Sequence, residues 1–288
     1  MIFKETYTLS NGINIPKLAL GTWLLDNRTT ARAVQDAIET GYCHIDTAQA
    51  YGNEAGVGDG IRASGALRNE IFVTSKIAAE CKDYVSAANS IDGTLQAMKL
   101  DRIDLMLIHS PQPWAQVNQS DNRYFEENRE VWKAMEDALQ AGKVRAIGVS
   151  NFLQQDLESL MQSCTVRPMV NQLLAHISNT PCALIDYCQE QKILVEAYSP
   201  IAHGEALKNP EIAKMSECYG VSPAQLCLRY DLQLGLAVLP KTADPAHMKE
   251  NAQLDFVISE DDMQTLKNLK RIENYGDSSF FPVYGGKL

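Results

Sequence analysis

The sequence predicts a (β/α)8 barrel, on the strength of three observations. Strand-like and helix-like segments take turns along nearly the whole chain, about eight strands follow an opening hairpin, and complementary reactive side chains recur where those strands end. A length of 288 residues is common for one such barrel, so a single domain over residues 1–288 is expected.

Each element has its local reason. Residues 6–9 and 13–16 flank Asn11-Gly12, a dipeptide suited to a two-residue hairpin turn. Residues 18–20 read as the first barrel strand, 29–40 as a helix and 44–46 as the second strand. Helix 53–64 leads to strand 71–75, helix 84–98 to strand 103–108. A long amphipathic helix over 125–141 is stopped by Gly142. The order repeats with strand 144–149, helix 153–163, strand 169–171, helix 181–191 and strand 194–197. Helices at 210–219 and 223–233 precede strand 237–239. Helices 245–251 and 260–270 then lead into an irregular C-terminal tail. Phe280, Phe281 and Tyr284 in that tail suit either a lid over a pocket or packing against the barrel.

A doubly wound sheet is the competing architecture. It would place a G-x-G-x-x-G turn after its first strand. The turn here is Gly21-Thr22-Trp23, and Gly56-Val57-Gly58 opens no strand-to-helix turn. The polar stretch 110–124 reads as an enlarged loop after the fourth strand rather than a linker.

Composition narrows the partners. With 45% hydrophobic and 22% charged residues the chain is an ordinary globular one. A formal net charge of -10 argues against nucleic acid or an anionic membrane as main partner. The seven cysteines show neither C-x-x-C nor metal-ligand spacing, so reduced thiols and no metal site are expected. The N-terminal MIFKETYTLSNG lacks the apolar run of a signal peptide, and no segment is long enough to span a bilayer. A cytoplasmic protein is expected.

The chemistry gathers at strand ends, where barrels of this kind carry their sites. Asp46 and Tyr51 follow the second strand, Lys76 closes the third and His109 the fourth. A phenol with a pKa of about 10 is a poor acid at neutral pH. An adjacent ammonium, Lys76, is expected to lower that pKa, with Asp46 holding Lys76 charged and His109 orienting a substrate oxygen. Singly, each has a bland reading: a helix cap, a solvated strand end, a packed ring, a core histidine. Four at the ends of consecutive βα units favour the functional one.

These residues are the centre of a resemblance that runs nearly end to end. The chain is similar to the aldo-keto reductase family, of the prokaryotic type that includes 2,5-diketo-gluconate and small-aldehyde reductases. The likeness is carried by GTW at 21–23, GYCHIDTAQAYGNE at 41–54, FVTSK at 72–76 and DRIDLMLIHSP at 101–111. GKVRAIGVSNF at 142–152, VNQ at 170–172, AYSPIAHG at 197–204 and VLPKTADPAHMKEN at 238–251 complete it. The resemblance implies that Asp46, Tyr51, Lys76 and His109 are a catalytic tetrad with Tyr51 as general acid. It implies NADPH as hydride donor to an aldehyde or ketone, and a monomer. Ser150, Asn151 and Gln172 would meet the nicotinamide carboxamide, and Tyr198 would stack on the ring. Gly21, Thr22 and Asp46 would border the same site. Backbone at Ser199, Ile201, His203 and Gly204 would approach the pyrophosphate. Lys241 and Thr242 would meet the 2′-phosphate, and Glu250 and Asn251 the adenine.

Two departures stand out. His247 replaces the family's usual arginine near the adenosine, which weakens the grip on a phosphate and admits NADH as well as NADPH. HSP replaces the usual HWP after the fourth strand, so Trp23 and Trp114 are the indoles expected to wall the substrate, together with Tyr51 and His109. Two other functions compete: a cofactor-sensing protein with little turnover, and a phosphate-gripping isomerase or aldolase. The latter would need a glycine-rich cradle, for which Gly204 alone is a poor match.

Overall fold

The computed structural model describes residues 2–288. A hairpin of β1 (Thr6–Thr8) and β2 (Asn14–Pro16) opens the chain. Then follow β3 (Leu20–Gly21), α1 (Asn27–Thr40), β4 (His44–Asp46), α2 (Glu54–Ser64), β5 (Phe72–Ile77), α3 (Tyr84–Met98), β6 (Ile103–Ile108) and α4 (Phe125–Gln140). The second half contains β7 (Val144–Ser150), α5 (Gln154–Met161), β8 (Val170–Leu174), α6 (Cys182–Glu190), β9 (Leu194–Tyr198), α7 (Pro210–Tyr219) and α8 (Pro223–Gln233). It ends with β10 (Ala237–Leu239), α9 (Pro245–Asn251) and α10 (Glu260–Lys267).

The strands from β3 to β10 pair in parallel, in sequence order, as one eight-stranded sheet. The two edges meet: Ala19 N–H donates to Val238 O at 3.0 Å, Gly21 N–H to Pro240 O at 3.0 Å, and Val238 N–H to Lys17 O at 2.8 Å. Closure of this kind removes the edges that a parallel sheet would otherwise leave open. Residues of β5 and β6 are buried throughout, as expected of strands covered on both faces.

Helix ends follow local chemistry. Asp26 accepts from the Thr29 N–H at 2.7 Å to cap α1, which stops at Gly41 in the left-handed region, φ 120°. Glycines 56 and 58, unassigned by motif, lie inside α2. A Cβ on Gly56 would come 2.4 Å from Asn27 O, and one on Gly58 2.0 Å from Met98 O. They let α2 pack directly on the backbones bordering it.

The hairpin differs in detail from expectation. Leu9 N–H donates to Ile13 O at 2.8 Å across a three-residue loop, and Gly12 takes φ 85°. This is the loop in which glycine relieves a bulge, rather than a two-residue turn. Tyr7 OH reaches Leu236 O at 3.4 Å and Asn11 reaches Arg145 O at 3.0 Å, so the hairpin covers the amino-terminal mouth of the barrel. The opposite mouth stays available for chemistry. Among the described residues no helix is long and apolar enough to cross a membrane.

The loop 110–124 is tied down both to α5 and by its own residues. Arg123 bonds both carboxylate oxygens of Asp156, with Nε at 2.9 Å from Oδ1, and Gln112 Nε2 donates to the carbonyls of Ser120 and Asn122 at 2.9 and 2.7 Å. Asn118 then donates to Pro282 O at 2.7 Å, joining this loop to the C-terminal tail.

Candidate active site

The carboxyl ends of the strands bring the predicted residues to one floor. Asp46 ends β4, Lys76 lies near the end of β5 and His109 follows β6. Lys76 Nζ donates to Asp46 Oδ1 at 2.6 Å, to Thr47 O at 2.8 Å and to the Tyr51 hydroxyl at 3.5 Å. Lys76 is fully buried, so it is no solvated strand end. Tyr51 is set by the short turn Gln49–Tyr51, which Gln49 pins by donating to Ser90 O and accepting from Ala78 N–H, at 3.1 and 3.0 Å. The His109 and Tyr51 rings meet edge to face, centroids 5.6 Å apart.

The electrostatics correct one expectation. Burial pushes the Tyr51 phenol above its ordinary value, and the Lys76 ammonium offsets only part of the shift. Desolvation outweighs the attraction because the phenolate would sit deep in the barrel mouth. The phenol therefore keeps its proton at neutral pH, the form an acid must have before it reacts. For Lys76, burial disfavours the charge, but Asp46 and Tyr51 together raise its pKa, so the ammonium persists. Burial and the nearby Lys76 hold the His109 imidazole well below its usual value, so the ring is neutral at pH 7.

These residues open into a cavity of about 430 Å³. Gly21, Thr22, Asp46, Tyr51 and His109 line it, together with Ser150, Asn151, Gln172 and Tyr198. Ser199, Ile201, His203, Gly204 and Lys241 extend the wall outward. Several of these side chains are already engaged with the protein. Asn151 accepts from Tyr198 OH at 2.7 Å and donates to His109 O and Ser150 Oγ, both at 3.0 Å. Ser150 Oγ–H donates to Gln172 O at 2.9 Å. Asn151, Ser199, Ala202 and His203 all take positive φ, a local concentration of left-handed backbone at this rim. Thr242, His247, Glu250 and Asn251 lie outside the cavity lining, which ends at Lys241. Thr242 Oγ1 instead accepts from Asp244 N–H at 3.0 Å, and His247 is exposed on α9.

Both predicted indoles reach the cavity. Trp114 packs its ring on His109 at 5.1 Å, and Ser110, where an indole was missing, is buried beside it. Phe281 from the tail packs on Trp114 at 4.9 Å and on Trp23 at 5.7 Å. Tyr284 OH joins Ser199 Oγ at 2.9 Å and His203 Nε2 at 2.7 Å. The tail packs on the barrel, as one of the two expectations had it, and its Phe281, Val283 and Tyr284 line the cavity. Phe280 points away, 61% exposed.

Sequence reasoning passed over several contributors, Ala50 and Leu239 of the cavity wall among them. Thr47 anchors Lys76 through its carbonyl, Val283 lines the cavity, and Glu196 lies buried behind Gln172. Only Glu196 left a signal, as a lone acid in the apolar strand that delivers Tyr198.

A closed barrel gathers an ammonium, a carboxylate, a phenol and an imidazole at its carboxyl-terminal mouth, where barrels of this kind carry their sites. Residues 17–271 match the model of the aldo/keto reductase family, and this chain belongs to that family, whose members are oxidoreductases acting on carbonyl compounds. The glyoxal reductase of Bacillus subtilis is 38% identical over 275 residues, covering 95% of each chain. The 2,5-diketo-D-gluconic acid reductase B of a Corynebacterium species is 37% identical over 268 residues, covering 92% of this chain and 93% of its own. A crystal structure of a Bombyx mori aldo-keto reductase in complex with NADP superimposes with a TM-score of 0.85 at 31% identity, over 97% of this chain and 98% of that one.

Proposed function

We propose that this chain is an NADPH-dependent reductase of aldehydes or ketones, working as one domain over residues 1–288 with Tyr51 as its general acid. The observation that carries the reading is Lys76 Nζ lying 2.6 Å from Asp46 and 3.5 Å from the Tyr51 hydroxyl at the floor of a cavity that ends at Lys241. The carbonyl compounds in the names of two relatives, and the NADP bound to the Bombyx mori protein, support the same reading.

The residues present fit a dinucleotide. Gly21 borders the cavity where a Cβ would press to 3.3 Å from Leu239 O, and Gly204 at φ 91° leaves its backbone open. Tyr198 offers a ring face, Gln172 and Asn151 offer amide oxygens, their N–H groups being engaged within the protein, and Lys241 offers a cation at the outer end. Thr242, Glu250 and Asn251 would hold the adenosine beyond it, with His247 nearby. Lys241 favours the 2′-phosphorylated cofactor, while His247 in place of arginine admits NADH. The bound cofactor supplies a hydride to the carbonyl carbon.

The chain's own residues handle the oxygen. Neutral His109 donates a hydrogen bond that orients it. Tyr51 gives up its proton as negative charge develops there, and the Lys76 ammonium stabilises the phenolate so formed. Asp46 keeps Lys76 charged throughout. Trp23, Trp114 and Phe281 exclude water from one side. We read the seven unpaired thiols as those of a cytoplasmic protein, and the chain as a monomer.

Tyr51→Phe tests the assignment. We expect carbonyl reduction, followed as NADPH oxidation with a panel of small aldehydes, to fall by roughly 10²–10⁴-fold, with cofactor binding unchanged. Full activity in that variant sinks the assignment. Cofactor binding by the unmodified chain with no turnover on any carbonyl would favour the sensor reading.

A further inference from the structure

Glu196 is a fully buried acid to which the mechanism above gives no part. It lies on β9 two residues before Tyr198 and does not line the cavity. Its Oε2 accepts from Gln172 Nε2 at 2.9 Å, and the same nitrogen donates to Asp46 Oδ2 at 2.8 Å. A primary amide nitrogen carries two hydrogens, so both are engaged. Gln172 nevertheless lines the cavity, and the group it has left to offer there is Oε1.

The other Glu196 oxygen makes no hydrogen bond. It faces His44, whose Nε2 is 4.0 Å away. His44 Nδ1 lies 3.3 Å from Pro16 O, which can only accept, so Nδ1 carries the ring proton. Nε2 then accepts from Thr74 Oγ1 at 2.9 Å and has no hydrogen for Glu196. The firm bond Glu196 makes is therefore the one to Gln172.

We propose that Glu196 is a positioning residue: with Asp46 it captures both Nε2 hydrogens of Gln172, so that Gln172 meets the cofactor as an acceptor only and selects a carboxamide that presents N–H. The inference rests on the nicotinamide-cofactor reading above. The charged and titratable groups around Glu196 are Asp46 and His44 on β4 and Lys76 on β5. Burial and the Asp46 carboxylate push Glu196 up to about 8, so it accepts as a neutral acid near pH 7 and adds no second anion beside Lys76.

The test compares NADP⁺ with its 3-acetylpyridine analogue, in which an acetyl group lacking N–H replaces the carboxamide. Dissociation constants come from quenching of protein fluorescence in the full chain. The unmodified protein and Glu196→Gln, which keeps an acceptor for Gln172, are expected to bind the analogue roughly tenfold more weakly than NADP⁺. In Glu196→Leu the freed Nε2 hydrogen can serve the acetyl oxygen, and the ratio is expected to fall within twofold of unity. Should that variant fail to fold, Glu196→Ala removes the same acceptor and carries the same expectation. A ratio that stays tenfold in the Leu or Ala variant, including one in which both ligands weaken equally, overturns the proposal. Failure of the unmodified protein to bind NADP⁺ at all would instead overturn the cofactor reading beneath it.

Discussion

Replacing Asp46 by Asn keeps the side chain's shape and removes its charge. Asp46 is 4% exposed and Lys76 0%, so neither charge has recourse to water. At their separation of 2.6 Å, the mutual attraction is about 6 kcal/mol for an effective dielectric constant near 20. An asparagine has one acceptor oxygen, yet it must face both the Lys76 ammonium at Oδ1 and the Gln172 amide at Oδ2. One of them loses its acceptor. Breaking a buried pair from one side costs about 3–5 kcal/mol. With an unfolding entropy near 2.1 cal/mol/K per residue, a chain of this length should lose roughly 5–8 °C of Tm at pH 7.

The pH dependence gives the sharper check. In the unmodified protein the Lys76 pKa is raised by Asp46 and Tyr51, so its stabilisation is complete below the ordinary lysine value and is lost as pH rises through the folded one. Without Asp46, burial prevails and the folded pKa drops below the unfolded one. The unfolded chain then binds the extra proton, and stability rises with pH. The deficit of Asp46→Asn, measured by thermal denaturation from pH 7 to 9.5, should therefore shrink, while kcat falls by about 100-fold or more. A variant with unchanged Tm across that range and normal turnover would refute the coupling argued here.

Two further outcomes follow from single contacts. Lys241→Met should raise the Kd for NADPH by roughly tenfold and leave that for NADH within about twofold, because a charged partner for phosphate is worth at least about 1.5 kcal/mol; equal weakening of both, read by fluorescence titration, contradicts a 2′-phosphate role. His44 is fully buried and lowered by that burial to about 4, so below its unfolded value near 6.5 the folded protein resists a proton that the unfolded chain accepts. Stability is lost as pH falls through that window, and the deficit of His44→Asn should narrow by roughly 2 kcal/mol between pH 7 and pH 5 in denaturant titrations. A constant deficit would show that His44 does not titrate in this way.

Much of the floor of the site was legible because strand ends are legible. Apolar runs ending in Asp46, Lys76 and His109 announce both the strand and the place where chemistry begins. The rim was harder. Thr242, His247, Glu250 and Asn251 were named from motif alone, and the cavity lining stops short of them at Lys241. The hairpin dipeptide Asn11-Gly12 marked the turn correctly but not its length, since a bulge at Gly12 depends on which carbonyl Leu9 meets. Glycines 56 and 58 had no motif to explain them. Their reason is the backbone of Asn27 and of Met98, neighbours in space only.

The alternation of strands and helices, the placing of reactive groups at strand ends and the order of motifs follow from the chain itself, because hydrophobic periodicity and turn chemistry are local. Closure of the barrel between β3 and β10, the direction of the Tyr51 shift and the place of Glu196 behind Gln172 emerge only from the tertiary structure. Each is set by desolvation or by contacts between residues far apart in sequence. A neighbouring ammonium predicts that a phenol becomes more acidic; how deeply both are buried decides that Tyr51 keeps its proton.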